Sequence, residues 1–229
     1  MDHRAFANRL SNYTILYVED DNDLRDQITE FLSRYCNNIY ECQSSEEGLD
    51  LYHKHNPDIL LLDINLPGIS GIDFAAQVRE QDTETRILIL TAYTSTELMQ
   101  RAVELDLSRY LVKPATNEEL FSAFEKCLTA LEADEMIDLG HGYIYNKKLT
   151  SIISNNTSVL LRKKEADILE YFIEHAGEVV RYDMLENSIW IEGVMSRDAI
   201  RSQVRNLRQK IDRNFLNNIV GVGYRFDLK

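Results

Sequence analysis

The sequence predicts an α/β domain built on a doubly wound parallel sheet of five strands, followed by a smaller α+β domain. The first observation behind this prediction is Ile59–Leu62, an apolar run without a polar break that leads into Asp63. Such a run is typical of a strand buried on both faces of a parallel sheet. The second observation is a regular alternation of apolar runs with amphipathic stretches through the first part of the chain. The third is a change near residue 137, where short β-rich runs separated by turn-forming residues begin.

Strands and helices alternate through the first part of the chain. The predicted strands are Thr14–Val18, Ile39–Cys42, Asp58–Asp63, Arg86–Thr91 and Arg109–Val112. The predicted helices are Asp23–Tyr35, Ser45–His55, Gly71–Glu80, Ser95–Leu105 and Thr116–Leu131. Alternation of this kind implies parallel strands with right-handed crossovers and helices on both faces of the sheet.

Composition excludes several classes of protein. The 229 residues are 44% hydrophobic, which is enough for packed cores, and no segment approaches the roughly 20 apolar residues of a membrane span. The amino-terminal residues lack the apolar core of a signal peptide, and the scattered cysteines have no metal-ligand spacing. We therefore expect a cytoplasmic protein with reduced thiols and no association with a membrane.

The net charge is unevenly distributed along the chain. Residues 1–138 hold 11 Lys and Arg against 27 Asp and Glu, a net charge of −16. Residues 139–229 hold 14 Lys and Arg against 11 Asp and Glu, a net charge of +3. The acidity of the whole chain argues against nucleic acid as a partner, so the positive second part has to be considered separately.

Charged and polar side chains follow the predicted strands at the edge where open α/β sheets place their sites. These strand-end residues are Glu19, Asp20, Asp21, Asp63, Thr91 and Lys113. Three carboxylates crowded together repel one another, and Mg²⁺ with its oxygen ligands is a natural way to neutralise them. An Asp beside such a cation, a Lys and a hydroxyl donor is suited to accept a phosphoryl group. The alternative for each residue taken alone is a solvated acidic loop or a surface ion pair.

Four motifs in residues 14–132 resemble the receiver domain of two-component response regulators. They are V-E-D-D at Val18–Asp21, L-L-L-D-I-N-L-P-G at Leu60–Gly68, L-T-A at Leu90–Ala92 and Y-L-V-K-P at Tyr110–Pro114. The resemblance implies that Asp63 accepts a phosphoryl group from the phosphohistidine of a sensor histidine kinase. It also implies a conformational switch formed by Thr91 and Tyr110, and a cis peptide bond between Lys113 and Pro114.

The same resemblance implies a Mg²⁺ site. Asp20 and Asp63 would bind the ion directly, and Glu19 would act through water. The backbone carbonyl of Asn65 would be a further ligand. Hydrolases that form an aspartyl phosphate place a second Asp two residues after the first as an acid/base, and Asn65 at that position cannot transfer a proton. We therefore expect a switch rather than a turnover enzyme, with phosphotransfer and dephosphorylation confined to its own Asp63.

From residue 137 the pattern is that of a small antiparallel sheet followed by helices and a hairpin. The predicted strands are Ile137–Leu139, Gly142–Tyr145, Leu149–Ile153 and Ser158–Leu161. The predicted helices are Lys163–His175, Arg181–Ile189 and Arg197–Arg213, and a closing hairpin is predicted for Ile219–Phe226. Three helices followed by a hairpin form a winged helix-turn-helix.

The third of these helices is rich in arginine. Its apolar residues form a single stripe of Ile200, Val204, Leu207 and Ile211. The residues expected to contact DNA lie outside that stripe or in the hairpin, and they are Arg197, Arg201, Ser202, Arg205, Asn206, Arg208, Gln209 and Arg225. Side chains of these types read base edges in a major groove or bind phosphates. The alternative is a solvated amphipathic helix of an ordinary protein.

The second part resembles the effector domain of the OmpR/PhoB subfamily of response regulators. The motifs that carry this resemblance are K-K-E-A-D-I-L at Lys163–Leu169, V-R-N-L-R-Q-K-I at Val204–Ile211 and G-V-G-Y-R-F at Gly221–Phe226. The chain departs from the subfamily at Arg162, where a Thr usually stands before the first helix. It departs again at Val220, where many relatives carry an Arg in the hairpin.

These observations predict a receiver domain in residues 1–132, a short linker in 133–136 and a winged-helix DNA-binding domain in 137–229. We expect a transcriptional regulator controlled by phosphorylation. Its expected partners are a sensor histidine kinase, double-stranded DNA, RNA polymerase and, when phosphorylated, a second copy of the chain. The alternative is a response regulator whose effector domain acts mainly through contacts with other proteins.

Overall fold

A computed structural model describes residues 2–92, 95–189 and 196–228 of the chain. The chain divides into two compact units, residues 1–132 and 133–229. In the described ranges, none of the helices has both the length and the apolar character needed to cross a bilayer.

The first unit alternates helices and strands. Its helices are α1 (His3–Leu10), α2 (Asn22–Ser33), α3 (Ser45–His55), α4 (Gly71–Arg79), α5 (Thr96–Glu104) and α6 (Asn117–Asp134). Its strands are β1 (Ile15–Val18), β2 (Ile39–Cys42), β3 (Ile59–Leu62), β4 (Arg86–Thr91) and β5 (Arg109–Val112). The strands run parallel in the order β2-β1-β3-β4-β5. The predicted doubly wound parallel sheet is confirmed.

The central strand β3 is buried on both faces of the sheet. Its alternate side chains point in opposite directions and enter two different cores. Ile59 and Leu61 lie in a core that also contains side chains of α1, α2 and α6. Leu60 and Leu62 lie in a second core with Phe74 of α4. All four β3 side chains are fully buried, which explains the absence of a polar residue in this run.

Helix α1 is not among the predicted elements. Phe6 and Leu10 of this helix are fully buried in the core beneath α2 and α6. Arg9 forms ion pairs of 2.7 Å with Glu125 and with Glu132, both on α6. Two apolar anchors in eight residues make a weak periodic signal, so the helix is identified only by the surface against which it packs.

The second unit contains two antiparallel sheets and three α-helices in its described part. The four-stranded sheet is formed by β6 (Met136–Gly140), β7 (Tyr143–Asn146), β8 (Ser151–Ser154) and β9 (Thr157–Leu160). The elements that follow are α7 (Lys163–Glu174), β10 (Val179–Arg181), α8 (Tyr182–Ile189), α9 (Arg197–Leu207), the 3-10 helix η1 (Arg213–Phe215), β11 (Leu216–Ile219) and β12 (Gly223–Phe226). The second sheet has the order β10-β12-β11. The predicted winged helix with an added amino-terminal sheet is confirmed.

Helix α9 ends at Leu207, so the predicted end at Arg213 is wrong. The backbone N–H of Lys210 donates to the carbonyl of Leu207, three residues back, at 2.9 Å, and the helix tightens into a turn. The Lys210 ammonium donates to the buried carboxylate of Glu165 at 2.6 Å, a contact that only the tertiary structure provides. Ile211 is nevertheless buried, so the apolar stripe is correctly identified although the helix is shorter.

Two short segments also differ from expectation. Residues 133 and 134, which lie in the expected linker, are the last residues of α6, and Met136 already begins β6. Strand β10 is absent from the prediction. It pairs Val180 with Tyr224 of β12. Three residues are too few for a periodic signal, so this strand depends on the partner to which it is hydrogen-bonded.

Candidate functional site

Residues from separate strand ends converge at the carboxyl edge of the parallel sheet. Glu19 directly follows β1, Asp63 directly follows β3, and Lys113 directly follows β5. The Lys113 ammonium lies 2.6 Å from Glu19 Oε2 and 2.9 Å from Asp63 Oδ2. Glu19 is 0% exposed and Asp63 is 4% exposed. The Lys113 ammonium therefore pairs with two carboxylates that are almost completely shielded from solvent.

Three carboxylates form an acidic cluster beside this cation. Ligand oxygens of Glu19, Asp20 and Asp63 all lie within 4.8 Å of one another, and Asp20 is the exposed member. Opposite ligands of an octahedral Mg²⁺ are separated by about 4.2 Å, so the cluster fits the ion with small side-chain adjustments. Carboxylate oxygens are also the donors that Mg²⁺ prefers. Asn65 is exposed and lies two residues after Asp63, and its carbonyl remains a predicted ligand.

Burial and pairing affect the proton affinities of the site in opposite directions. Burial raises the pKa of Glu19, and the hydrogen bond from Lys113 offsets only part of that effect. Burial lowers the pKa of Lys113, but its hydrogen bonds to Glu19 and Asp63 outweigh burial and the pKa is raised. Lys113 is therefore held in its charged form. The Tyr17 hydroxyl donates to Glu19 Oε2 at 3.2 Å, and burial and the Glu19 charge raise the pKa of Tyr17.

The second carboxylate oxygen of Asp63 differs from the first. Asp63 Oδ1 is buried and accepts no hydrogen bond from the described residues. A buried polar atom without a partner is costly, because it has lost its water and gained nothing in return. This oxygen is therefore available for a cation or for a new covalent bond, while Lys113 holds Oδ2.

A glycine allows the loop after β3 to return close to Asp63. A Cβ atom at Gly71 would lie 1.8 Å from the backbone carbonyl oxygen of Asp63. The backbone N–H of Gly71 donates to the carbonyl of Ile64 at 2.9 Å. Any side chain at this position would push α4 away from the carboxyl end of β3, so glycine is required for the close approach.

The predicted switch residues lie on neighbouring strands. Thr91 is fully buried at the end of β4, and its carbonyl accepts a hydrogen bond of 2.8 Å from the backbone N–H of Lys113. Tyr110 is partly buried on β5, and burial together with the charge of Asp63 raises the pKa of its hydroxyl. Tyr110 thus lies within electrostatic reach of Asp63. The peptide bond between Lys113 and Pro114 is cis, as predicted.

Sequence reasoning did not identify Arg25 or Tyr17 as part of this site. Arg25 is only 7% exposed, and its guanidinium donates to the backbone carbonyl of Glu19 at 2.8 Å and to Asn22 Oδ1 at 2.6 Å. It therefore anchors the acidic loop after β1. An arginine three residues before the buried Ile28 is a usable signal for such a role, because both lie on the inward side of α2. Tyr17 has no comparable signal in the sequence, because it lies within an apolar strand and resembles any other core residue there.

The residues predicted to contact DNA differ in exposure. Those exposed are Arg197, Arg201, Arg205, Gln209 and Arg225, and those partly buried are Ser202, Asn206 and Arg208. Arg201 pairs with Asp198 at 3.1 Å, and Arg225 pairs with Asp227 at 2.9 Å. Surface pairs of this kind contribute little stability, so a phosphate can replace the carboxylate at small cost.

Arg208 is turned towards the sheet of the second unit. Its Nη2 donates to the backbone carbonyl of Leu216, and its guanidinium carbon lies 5.5 Å from the ring centre of Tyr224. A cation held over an aromatic ring and bonded to a carbonyl is fixed in place. The structure therefore joins Arg208 to β11 and β12 rather than leaving it extended beside Arg205.

The hairpin formed by β11 and β12 projects an exposed tip. Val220 at the tip is 87% exposed, and Gly221 has a φ of +78° that favours glycine. At the base of the hairpin, a Cβ at Gly223 would lie 2.0 Å from the carbonyl oxygen of Val180. The two glycines thus serve different purposes, a turn at the tip and close pairing with β10 at the base.

Two family models match this chain. The model described as the response regulator receiver domain matches residues 15–125. The model described as the C-terminal part of transcriptional regulatory proteins matches residues 156–226. The two matches fall separately in the two structural units.

Relatives of known name match nearly the whole chain. The transcriptional regulatory protein CusR of Escherichia coli strain K12 is 30% identical over 232 residues, covering 93% of this chain and 97% of CusR. The transcriptional regulatory protein CrdR of Helicobacter pylori is 26% identical over 214 residues, covering 93% of this chain and 97% of CrdR.

Solved structures match the first unit. The N-terminal domain of an uncharacterized protein from Wolinella succinogenes has a TM-score of 0.51 and 25% identity, covering 54% of this chain and 99% of that chain. A CheY-like response regulator receiver domain protein from Methanospirillum hungatei has a TM-score of 0.51 and 21% identity, covering 53% of this chain and 98% of that chain, and shares the fold.

Proposed function

The chain belongs to the two-component response regulators of the OmpR/PhoB subfamily, transcriptional regulators that depend on phosphorylation and bind DNA, and on this premise we propose that Asp63 accepts the phosphoryl group. One observation carries the proposal. Asp63 has one buried oxygen without a hydrogen-bond partner in the described residues and a second oxygen held 2.9 Å from the Lys113 ammonium. The first oxygen is free to form a bond while the second stays neutralised.

The phosphoryl group comes from the phosphohistidine of a sensor kinase. A carboxylate oxygen of Asp63 attacks the phosphorus, and a P–O bond forms as the P–N bond to the imidazole breaks. The electron pair of that bond remains on the imidazole nitrogen, which takes up a proton from water. The Lys113 ammonium stabilises the charge on one phosphoryl oxygen, and the Thr91 hydroxyl donates to another. The acyl phosphate stays on the protein as a signal, because Asn65 supplies no acid/base for rapid turnover.

The acidic cluster is suited to hold Mg²⁺ during this transfer. Asp20 and Asp63 would ligate the ion, Glu19 would reach it through water, and the backbone carbonyl of Asn65 would be a further ligand. Bound Mg²⁺ supplies charge neutralisation at the phosphoryl oxygens. Arg25 holds the loop that presents Glu19 and Asp20, so it acts as a positioning residue.

Phosphorylation is transmitted by a change in population between two states. Thr91 moves towards the phosphoryl group, and the ring of Tyr110 fills the space that it leaves. The altered surface favours a homodimer, and a bias of a few kcal/mol is sufficient for such a shift. Two effector domains in one dimer then bind two half-sites, and the second contact benefits from a high effective concentration.

DNA is read by α9 and the hairpin of β11 and β12. We place α9 in the major groove, with Arg205 and Gln209 towards base edges and Arg197 and Arg201 towards phosphates. The exposed hairpin tip lies over the adjacent minor groove, where Val220 makes apolar contact. RNA polymerase is the further partner of a regulator bound at a promoter, and the cytoplasm is the compartment in which kinase, DNA and polymerase meet.

The assignment of Asp63 is tested by labelling the full chain with radioactive acetyl phosphate in the presence of Mg²⁺. Wild type and Asp26→Ala should be labelled, because Asp26 is exposed on α2 and is not a member of the acidic cluster. Asp63→Ala should not be labelled, since it lacks the acceptor oxygen. Equal stoichiometric labelling of Asp63→Ala and wild type would remove Asp63 from this role.

A further inference from the structure

Tyr17 places a hydroxyl group inside the acidic cluster of the first unit. It belongs to β1 and is 0% exposed, and its ring lies in the core that also contains side chains of α1, α2 and α6. Strand β1 is hydrogen-bonded to β2 on one side and to β3 on the other. The backbone and the ring of Tyr17 are both fixed, so its hydroxyl has little freedom to move.

Both carboxylate oxygens of Glu19 are already engaged by hydrogen-bond donors. Oε2 accepts a hydrogen bond of 3.2 Å from the Tyr17 hydroxyl and lies 2.6 Å from the Lys113 ammonium. Oε1 accepts from the Lys113 ammonium at 2.8 Å and from the backbone N–H of Asp21 at 3.4 Å. A carboxylate held in this way has less capacity to bond directly to a metal ion.

The other two carboxylates of the cluster keep oxygens available for a cation. Asp63 Oδ1 accepts no hydrogen bond from the described residues, and Asp20 is exposed, so its oxygens can exchange water for an ion. Distance alone does not separate Glu19 from these two, because ligand oxygens of all three residues lie within 4.8 Å of one another. The donors around Glu19 therefore make the difference.

The two side-chain donors of Glu19 differ in how firmly they are committed to it. Lys113 is shared with Asp63 Oδ2, at 2.9 Å, and in the proposed phosphotransfer it also stabilises a phosphoryl oxygen. The Tyr17 hydroxyl donates to Glu19, its partner in the described part of the chain. Tyr17 therefore continues to hold Glu19 when Lys113 bonds to the phosphoryl group.

We propose that Tyr17 is a positioning residue that keeps Glu19 from bonding directly to the cation, so that the site selects Mg²⁺ over Ca²⁺. This role rests on the proposed Mg²⁺ site. Mg²⁺ retains several water molecules and needs only one or two carboxylates, whereas Ca²⁺ takes about six to eight oxygen ligands and accepts bidentate carboxylates. Two direct carboxylates with a third that bonds only to metal-bound water suit Mg²⁺. A third direct carboxylate would favour Ca²⁺.

The test compares the affinities of the full, unphosphorylated chain for Mg²⁺ and for Ca²⁺, each taken from the shift in Tm across a titration with that ion. Tyr17→Phe keeps the ring in the core and removes only the hydroxyl, so its far-UV circular dichroism should match wild type. Mg²⁺ binding should weaken about tenfold, because Glu19 no longer holds metal-bound water in place. Ca²⁺ binding should stay equal or tighten, so the preference for Mg²⁺ falls at least about tenfold.

Tyr145→Phe is the matched control. Tyr145 is also 0% exposed, and its hydroxyl donates to Glu170 Oε1 at 2.7 Å in the second unit, so the variant removes a similar bond away from the cluster. Its preference for Mg²⁺ should equal that of wild type. In a Glu19→Gln background, Tyr17→Phe should change the preference no further, because its effect acts through the Glu19 carboxylate.

The outcomes separate the role of Tyr17 from the metal site itself. Equal weakening of both ions by Tyr17→Phe, or no weakening of either, would overturn the role of Tyr17 and leave the Mg²⁺ site in place. A full change of preference in the Glu19→Gln background would show that Tyr17 acts through another group and would also overturn it. A wild-type Tm that responds to neither ion would overturn the proposed Mg²⁺ site together with this role.

Discussion

At the scale of single residues, the main feature of the site is that its carboxylates outnumber the positive charges that contact them among the described residues. Lys113 already bonds Glu19 and Asp63, so it has little capacity left for Asp20. Asp20 is exposed and belongs to the acidic cluster. In the proposed site, a divalent cation would complete the neutralisation, and Asp20 would be the ligand whose removal affects the ion more than the fold.

We expect Asp20→Asn to weaken Mg²⁺ binding at least tenfold while leaving stability without Mg²⁺ within about 0.5 kcal/mol of wild type, because the side chain is exposed. The measurement is the shift in Tm across a Mg²⁺ titration, which reports binding to the folded state by linkage. The exposed Asp26→Asn is the control. An identical Mg²⁺-dependent shift in Asp20→Asn and wild type would contradict the assignment of Asp20 as a ligand.

Asp82 gives the first unit a pH-dependent contribution to stability. Burial by itself raises the pKa of Asp82, but hydrogen bonds from Thr85 and Tyr52 lower it to about 2 from 3.8. The Tyr52 hydroxyl donates to Asp82 Oδ2 at 2.6 Å, and this bond joins α3 to the loop before β4. Because the folded pKa is the lower one, this stability is present above pH 3.8 and is lost as the pH falls towards 2.

We expect Asp82→Asn to lower the free energy of unfolding by about 1–2 kcal/mol at pH 6, after allowance for the partial exposure of Asp82 to solvent. The difference from wild type should shrink as the pH is lowered from about 4 to 2. Urea unfolding at several pH values measures it. A difference that does not depend on pH would show that the carboxylate charge contributes nothing.

At the scale of elements, α1 is the part of the first unit that its neighbours determine. Phe6 packs edge-on against Tyr35 and Phe121, with ring centres 5.4 and 5.0 Å apart. Arg9 forms ion pairs with both Glu125 and Glu132, which lie seven residues apart on α6. The helix thus covers apolar side chains at the junction of α2 and α6 that would otherwise face water.

We expect Phe6→Ala to lower the free energy of unfolding by about 3–5 kcal/mol, since it removes a fully buried aromatic ring and leaves a cavity. Asn8→Ala, on the exposed side of the same helix, should stay within about 0.5 kcal/mol of wild type. Chemical denaturation followed by circular dichroism distinguishes the two. A small loss for Phe6→Ala would mean that α1 is detached in solution.

At the scale of the whole molecule, the proposed switch requires that phosphorylation of Asp63 changes the DNA binding of a cationic helix elsewhere in the chain. Acidic residues 1–138 carry a net charge of −16, whereas residues 139–229 carry +3. Because like charges repel, the net negative charge of the first part disfavours contact between that part and DNA. In the proposed homodimer, a second cationic helix would add to the attraction between the second part and DNA.

We expect beryllofluoride with Mg²⁺ to convert the full chain from monomer to dimer and to raise its apparent affinity for a two-half-site duplex by at least tenfold. Sedimentation velocity and fluorescence anisotropy measure the two effects. Asp63→Ala should show neither. Dimerisation without any gain in affinity would separate self-association from DNA binding and contradict the coupling.

Apart from α1, β10 and η1, the sequence by itself determined the order of strands and helices in both units. The apolar run Ile59–Leu62 is typical of a strand buried on both faces, and the four side chains are fully buried; Asp63 directly after it is the proposed phosphoacceptor. Hydrophobic periodicity and the turn preferences of residues are local properties, so they can be recognised from residues that are close together in the chain. The prediction that the bond from Lys113 to Pro114 is cis is confirmed, and it came from the resemblance of a short motif.

Only the tertiary structure decided which partners each charged group meets. Three features depend on contacts with other elements: the packing of helix α1, the orientation of the Arg208 side chain towards Leu216 and the end of α9 at Leu207. The bond from Lys210 to Glu165 spans 45 residues, and no periodicity predicts it. A side chain that finds its acceptor on another element gains a contact that local spacing does not encode, and packing of the whole unit brings the two together.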